Sequence, residues 1–267
     1  WKAQQHNIRV ITYESNLMPF SAFFTDQQAT IYPMEIPDDF ELSAEQNQKL
    51  DSYLSKRFQG DFTMAGIQFW PGMQDLPKEF LNRVRSFQGV VPIFTNVIFD
   101  TSQVHANTLF EDMFSWLDDV LSFVRENPEI LFVIRAHPDE IRPGKSSQES
   151  VAKWIEDQKI ENLLNLVFVP AEKTLSSYEL IKLSKFVMVY NSSIGLEASL
   201  LGVPVLCAGK ARYTQYPTVH YPESKQQYRK TLDEFIHSEN LPDQKSYQMQ
   251  ARRSLFWHLF RLSLPSS

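Results

Sequence analysis

Two short segments carry the residue types that could do chemistry. One is Asn191-Ser192-Ser193, followed by Gly195 and Glu197. The other is Arg135-Ala136-His137-Pro138-Asp139-Glu140. A serine pair where the chain turns into a helix offers two hydroxyl donors beside the first helical N–H groups, which have no internal partner. With the helix dipole, this is a place where a phosphate could be held. Gly195 leaves room for close approach. A carboxylate at Glu197 would repel a phosphate if it pointed at it, so a sugar hydroxyl pair is its more sensible target. The plainer alternative is that Ser193 only caps the helix and Glu197 only complements its dipole.

His137 precedes a proline, which disfavours the α region at His137 and holds it in an extended segment. A protonated imidazole there could donate to a departing phosphate and stabilise its growing charge; a hydrogen-bonded structural histidine is the alternative. Arg135 could be a second phosphate contact or a member of a surface ion pair. Asp139 and Glu140 could contact ribose or base, or simply open the following loop. The other histidines, at 6, 105, 220, 237 and 258, have no spacing that suggests a metal site, and no Cys/His cluster exists. There is no Walker lysine motif, GxSxG or HExxH. No metal or other cofactor is expected.

The elements that must position these groups alternate from Gly89 onward. Val90–Phe94, Ile130–Ile134, Leu166–Val169, Phe186–Tyr190 and Val203–Cys207 are apolar runs of buried-strand length. Between and after them lie helical patterns: Leu109 to Arg125, a capping box at Ser146-x-x-Glu149 opening a helix to about Gln158, another at Ser176-x-x-Glu179, and then 196–201, 224–237 and 245–262. The fold class this predicts is α/β, a Rossmann-like, doubly wound parallel sheet. Ligands bind such sheets outside the carboxyl ends of the strands. That rule selects Thr95 and Asn96, Arg135 to Glu140, Glu172 and Lys173, Asn191 to Ser193, and Lys210 to Tyr213; Asp100, Thr101 and Ser102 lie nearby. The anion-binding candidates fall on that edge independently.

The first third reads differently. Ile8–Tyr13 has strand character, with Glu14, Ser15 and Asn16 at its end. Residues 17–40 read as an ordered loop with one short helix. Ser43-Ala-Glu-Gln46 is a capping box for a helix to about Phe58. Gly60–Gln74 is irregular, and Pro77 opens a helix to about Phe87. The chain has 267 residues, net charge −6 and 43% hydrophobic residues, enough for one large domain or two small ones at roughly 100–200 residues each. The negative charge argues against an electrostatic nucleic-acid binder. The one cysteine, Cys207, sits in a predicted buried strand and fits a reducing, cytoplasmic setting. No apolar run approaches the roughly 18 residues of a membrane span.

Three stretches together resemble the capsule polysaccharide biosynthesis proteins: RAHPDE at 135–140, YNSSIGLEASLLGVPVLCAGKARY at 190–213, and ARRSLFWHLFRLSLP at 251–265. These are GT-B-type bacterial glycosyltransferases related to Kdo and sialic acid transferases. The resemblance runs from about Val90 to the C-terminus. It implies a nucleotide-sugar donor, with a CMP-sugar favoured, and a glycan or glycolipid acceptor. It also implies phosphate contacts from His137-Pro138 and Ser192-Ser193, and a ribose contact from Glu197. It divides the chain into 1–88, the tail of a first domain plus a helical linker, and 89–267, a nucleotide-sugar-binding domain with C-terminal helices. The family's acidic catalytic-base motif is not found. Glu14 is the one weak substitute, so the chain is expected to be an incomplete catalytic unit. A sugar-nucleotide epimerase or polyol-phosphate transferase would show a similar edge, and a non-catalytic nucleotide-binding module is the alternative of another class. The aromatic, arginine-rich helix 251–264 could lie on the inner membrane surface; packing across a domain junction is the favoured reading.

Overall fold

The computed structural model describes residues 2–18, 20–26, 34–58, 63–64, 67–68, 74–98, 103–141 and 149–265. Five parallel strands form the central sheet: β3 (Gly89–Phe94), β4 (Ile130–Arg135), β5 (Leu166–Val169), β6 (Val187–Val189) and β7 (Val205–Cys207). Their spatial order is β5-β4-β3-β6-β7. The order reverses between β3 and β6, which pair through Ile93 with Met188 and Phe94 with Val189. That is the topological switch point of an open α/β sheet, where strand ends leave a crevice.

Alternation along the strands builds two cores. Val91, Ile93, Phe132, Ile134, Met188 and Leu206 face one layer of helices, α3 (Met113–Glu126), α4 (Val151–Gln158) and α7 (Lys225–His237). Val90, Leu131, Val133, Val187, Val189 and Cys207 face the other, with α2 (Lys78–Val84), α5 (Ser177–Leu183) and α6 (Ile194–Leu200). Both faces are covered, so the strands read as continuous apolar runs. In the first of these cores Trp116 Nε1 donates to Tyr228 Oη at 2.8 Å. Cys207 is buried, as expected of a core residue.

Local signals set most helix starts. Ser176 Oγ accepts from the Glu179 N–H at 3.3 Å. At α1 (Ala44–Phe58) the box is reciprocal, with Gln46 N–H donating to Ser43 Oγ at 3.2 Å and Ser43 N–H donating to Gln46 Oε1 at 2.9 Å. Two expected starts are corrected. The helix expected from Leu109 opens at Met113, because Asp112 accepts from the Ser115 N–H at 2.7 Å. The helix expected from the Ser146 box opens at Val151, because Ser150 accepts from Lys153 N–H at 3.1 Å; Ser146 lies outside the described residues.

The N-terminal strand is also corrected. It spans Thr12–Ser15 (β1) and pairs antiparallel with Ser21–Thr25 (β2), inside the stretch read as loop. Leu264–Pro265 (β8) adds to the other side of β2. The apolar residues Ile8 and Tyr13 are 60% and 72% exposed, so burial did not fix the strand where their pattern placed it. The short strands Thr63–Met64 and Ile67–Gln68 pair inside the segment read as irregular, while Trp70, Pro71 and Gly72 are outside the described residues. The C-terminal helix α8 (Lys245–Phe260) buries Ala251, Leu255, Phe256 and Leu259 against Leu50 and Leu54 of α1 and Leu200 of α6. This packing is the reading favoured from the sequence for this helix. No helix among the described residues is long and apolar enough to cross a membrane.

Candidate functional site

A cavity of about 380 Å³ opens at the carboxyl ends of β3, β4, β5 and β6. The strand ends bring Thr95, Arg135 to Asp139, Ala171 to Leu175 and Ser192 to Ile194 to its wall. Arg57, Phe94, Ile141, Ser177, Tyr178 and Glu197 complete it. His137 and the serine pair, 55 residues apart by their numbers in the sequence, thus face one space.

The chain after β4 turns at once into a 3-10 helix, Pro138–Ile141, and the Glu140 N–H donates to the His137 carbonyl at 3.0 Å. Within this turn the Asp139 N–H donates to His137 Nδ1 at 3.1 Å. An Nδ1 that accepts leaves the ring proton on Nε2, the nitrogen that can then donate. The turn thus fixes the orientation of the ring through Nδ1.

The serine turn is held from behind. Ser192 is 6% exposed and its carbonyl accepts from Tyr213 Oη at 2.7 Å and from the Gly195 N–H at 3.1 Å. Ser193 stands at the N-cap position of α6, yet in helical backbone geometry and with no side-chain cap bond. Among the described residues neither serine hydroxyl has a hydrogen-bond partner, so capping does not account for Ser193.

Arg135 is neither a surface ion-pair member nor a freely mobile contact. It is 5% exposed. Nη1 donates to the Pro170 carbonyl at 2.8 Å and Nη2 to the Lys173 carbonyl at 2.7 Å, which ties down the loop after β5. Its Nε is buried without a hydrogen-bond partner among the described residues. Burial works against its charge, and no carboxylate pairs with it in the described structure. A cation left in this condition favours an anion in the cavity beside it. Thr95 spends its hydroxyl on the Arg135 carbonyl at 3.1 Å.

Other sequence candidates serve the frame. Asn96 is buried and accepts the Asn191 N–H through Oδ1 at 3.3 Å, joining the ends of β3 and β6; neither residue lines the cavity. Gly195 faces Tyr213 and Val189, not open space: its need is close packing, not ligand approach. Glu140 does not line the cavity, and its Oε1 is buried without a hydrogen-bond partner among the described residues. Glu197 does reach the cavity, but both its oxygens are engaged, Oε1 by Arg57 Nε at 2.9 Å and Oε2 by Tyr178 Oη. Asp100, Thr101 and Ser102 are outside the described residues. Sequence reasoning missed Arg57 and Tyr178. The strand-end rule could not find them, because Arg57 ends a helix outside the sheet and Tyr178 sits inside α5.

A family model for capsule polysaccharide biosynthesis proteins matches residues 85–256, well over half of the chain. The chain belongs to that family. Among solved structures, this capsule family member is similar to the beta Kdo 2,4 transferase KpsC of Thermosulfurimonas dismutans, with a TM-score of 0.60 and 12% identity over 95% of this chain and 73% of that one. The beta Kdo 2,7 transferase KpsC of the same organism follows at TM-score 0.53 and 13% identity, over 98% and 74%. At these identities the likeness is one of fold. No curated protein matches the chain in sequence.

Proposed function

We propose that this capsule family member is a glycosyltransferase of capsule or surface polysaccharide biosynthesis, taking a nucleotide-sugar donor, a CMP-sugar by preference, and a glycan acceptor. The observation that carries this reading is the convergence of His137 and the Ser192 and Ser193 hydroxyls on one cavity at the switch point of the sheet, beside the buried Arg135 guanidinium. Those groups suit a phosphate. Family membership and the fold shared with two transferases named for Kdo make Kdo the first sugar to test.

In this mechanism the donor phosphate sits against Ser192 and Ser193, with Thr95 and Pro138 on the cavity wall. The acceptor hydroxyl oxygen bonds to the anomeric carbon as the bond from that carbon to the phosphate oxygen breaks. The bonding electrons leave with the phosphate, and His137 Nε2–H donates a hydrogen bond to the oxygen that gains charge. The acceptor's proton passes to a base. Asp139 and Glu172 are carboxylates on the cavity wall.

The test is calorimetric titration of the chain with CMP and UDP, beside Ser193→Ala and His137→Ala. CMP is expected to bind, with each substitution weakening it by roughly tenfold. In turnover assays His137→Ala is expected to cost about 10²–10⁴-fold. Preference for UDP would favour an epimerase-like chemistry. A folded sample that binds neither nucleotide would defeat the proposal.

A further inference from the structure

The floor of the cavity holds a charge pair drawn from two distant parts of the chain. Arg57 lies in the last turn of α1, before the family-matching segment, and Glu197 lies in the first turn of α6. Their side chains are 10% and 7% exposed. Arg57 Nε donates to Glu197 Oε1 at 2.9 Å, and Nη2 donates to the same oxygen. Nη1 donates to Tyr53 Oη at 3.2 Å, and Tyr178 Oη donates to Glu197 Oε2. Next in sequence, Phe58 packs edge-on against Tyr178 with ring centroids 5.1 Å apart. Arg57, Tyr178 and Glu197 line the same cavity as the serine pair.

This arrangement resolves a conflict already present in the sequence. A carboxylate one turn from the serine pair opposes an anion at that turn. Such repulsion is strong where water is excluded and the effective dielectric is low. Burial works against the Arg57 charge, but the Glu197 carboxylate, together with Tyr53 and Tyr178, outweighs it and the guanidinium stays protonated. We infer that Arg57 is a specificity-determining residue: by cancelling Glu197 it lets the serine end of the cavity accept the phosphate of a nucleotide, and the helix that carries it is part of the site. The inference rests on the nucleotide reading above and deepens it. Tyr178 is the positioning residue of the pair, fixing the second carboxylate oxygen so that Oε1 stays turned to Arg57.

The test compares a nucleotide with its own nucleoside, CMP and cytidine, or UDP and uridine if the first titration favours UDP. Wild type, Arg57→Gln, Arg57→Lys and the double variant Arg57→Gln/Glu197→Gln are used as full chains, each checked for folding by thermal melting. Nucleoside binding is followed by NMR into the millimolar range. Arg57→Gln is expected to weaken nucleotide binding by roughly tenfold or more relative to nucleoside, because it leaves Glu197 uncompensated. The double variant, neutral at both positions, recovers most of that loss. Arg57→Lys keeps the charge and keeps the preference for nucleotide over nucleoside.

A purely structural arginine would give equal losses for nucleotide and nucleoside and no recovery in the double variant; either result overturns the inference. Loss of the preference in Arg57→Lys overturns it as well, even where Arg57→Gln is too unstable to assay. A wild-type chain that binds neither nucleotide removes the nucleotide reading and this inference with it. A wild-type chain that binds, with the wrong pattern among the variants, removes the inference alone.

Discussion

A Cβ at position 195 would lie 2.7 Å from Tyr213 Oη and 3.0 Å from Val189 Cγ2. Tyr213 Oη cannot retreat without giving up its bond to the Ser192 carbonyl, and Val189 belongs to a buried strand. The glycine therefore sets how closely α6 approaches β6, and with it where the two serines stand. Gly195→Ala is expected to cost about 1–3 kcal/mol through overpacking, read as a lower midpoint in chemical denaturation, and to weaken nucleotide binding. An unchanged midpoint would mean that Tyr213 moves aside without cost. The sequence makes the glycine visible but attributes it to ligand approach. Only the neighbour across 18 residues of chain shows that it serves packing.

At the scale of elements, the turn Pro138–Ile141 follows β4 and carries Glu140. Burial pushes its carboxyl up to about 7 from an ordinary 4.5, against the Val151 N–H that favours the ionised form and with the Glu172 charge adding to the rise. One of its oxygens is buried without a partner among the described residues. The folded chain thus holds this proton more tightly than the unfolded chain. The associated stability is complete below about pH 4.5 and is lost as pH rises through about 7. Glu140→Gln, which cannot ionise, should gain stability relative to wild type on going from about pH 5 to about pH 8. Melting curves at both pH values measure the difference; a difference independent of pH would contradict the assignment. Sequence reasoning offered Glu140 as a ligand contact at the strand-end edge, yet after the tight turn that follows His137 it does not line the cavity.

For the whole molecule, the segment before the sheet is integral to the fold. Leu50 and Leu54 of α1 meet Ala251, Leu255, Phe256 and Leu259 of α8 and Leu200 of α6 in one buried seam. Arg252 donates to Asn47 Oδ1 at 2.8 Å and to Asp51 Oδ1 at 2.7 Å along its rim. Seven residues separate Leu50 from Arg57, about two helical turns, so the packed face of α1 also carries the residue that enters the cavity. Leu50→Ala is expected to destabilise the protein by about 2–5 kcal/mol, measured by denaturant unfolding. If α1 were an independent appendage, the substitution would leave the main unfolding transition unmoved.

The alternation of apolar strands and capped helices from Gly89 onward was legible because period, length and capping residues are local properties, and both faces of the sheet are covered. His137 and the serine pair were legible for the same reason: a proline neighbour and a helix start declare themselves within a few residues. The sequence by itself determined the sheet and the edge at which the cavity opens. It did not determine the antiparallel pairing of β1, whose exposed Tyr13 carries no burial signal, nor which edge residues turn inward. Tertiary structure alone decided the pairing of Arg57 with Glu197, because that contact spans 140 positions. Two side chains so far apart are brought into hydrogen-bond distance by the seam between α1, α6 and α8, and no local pattern encodes the charge that results.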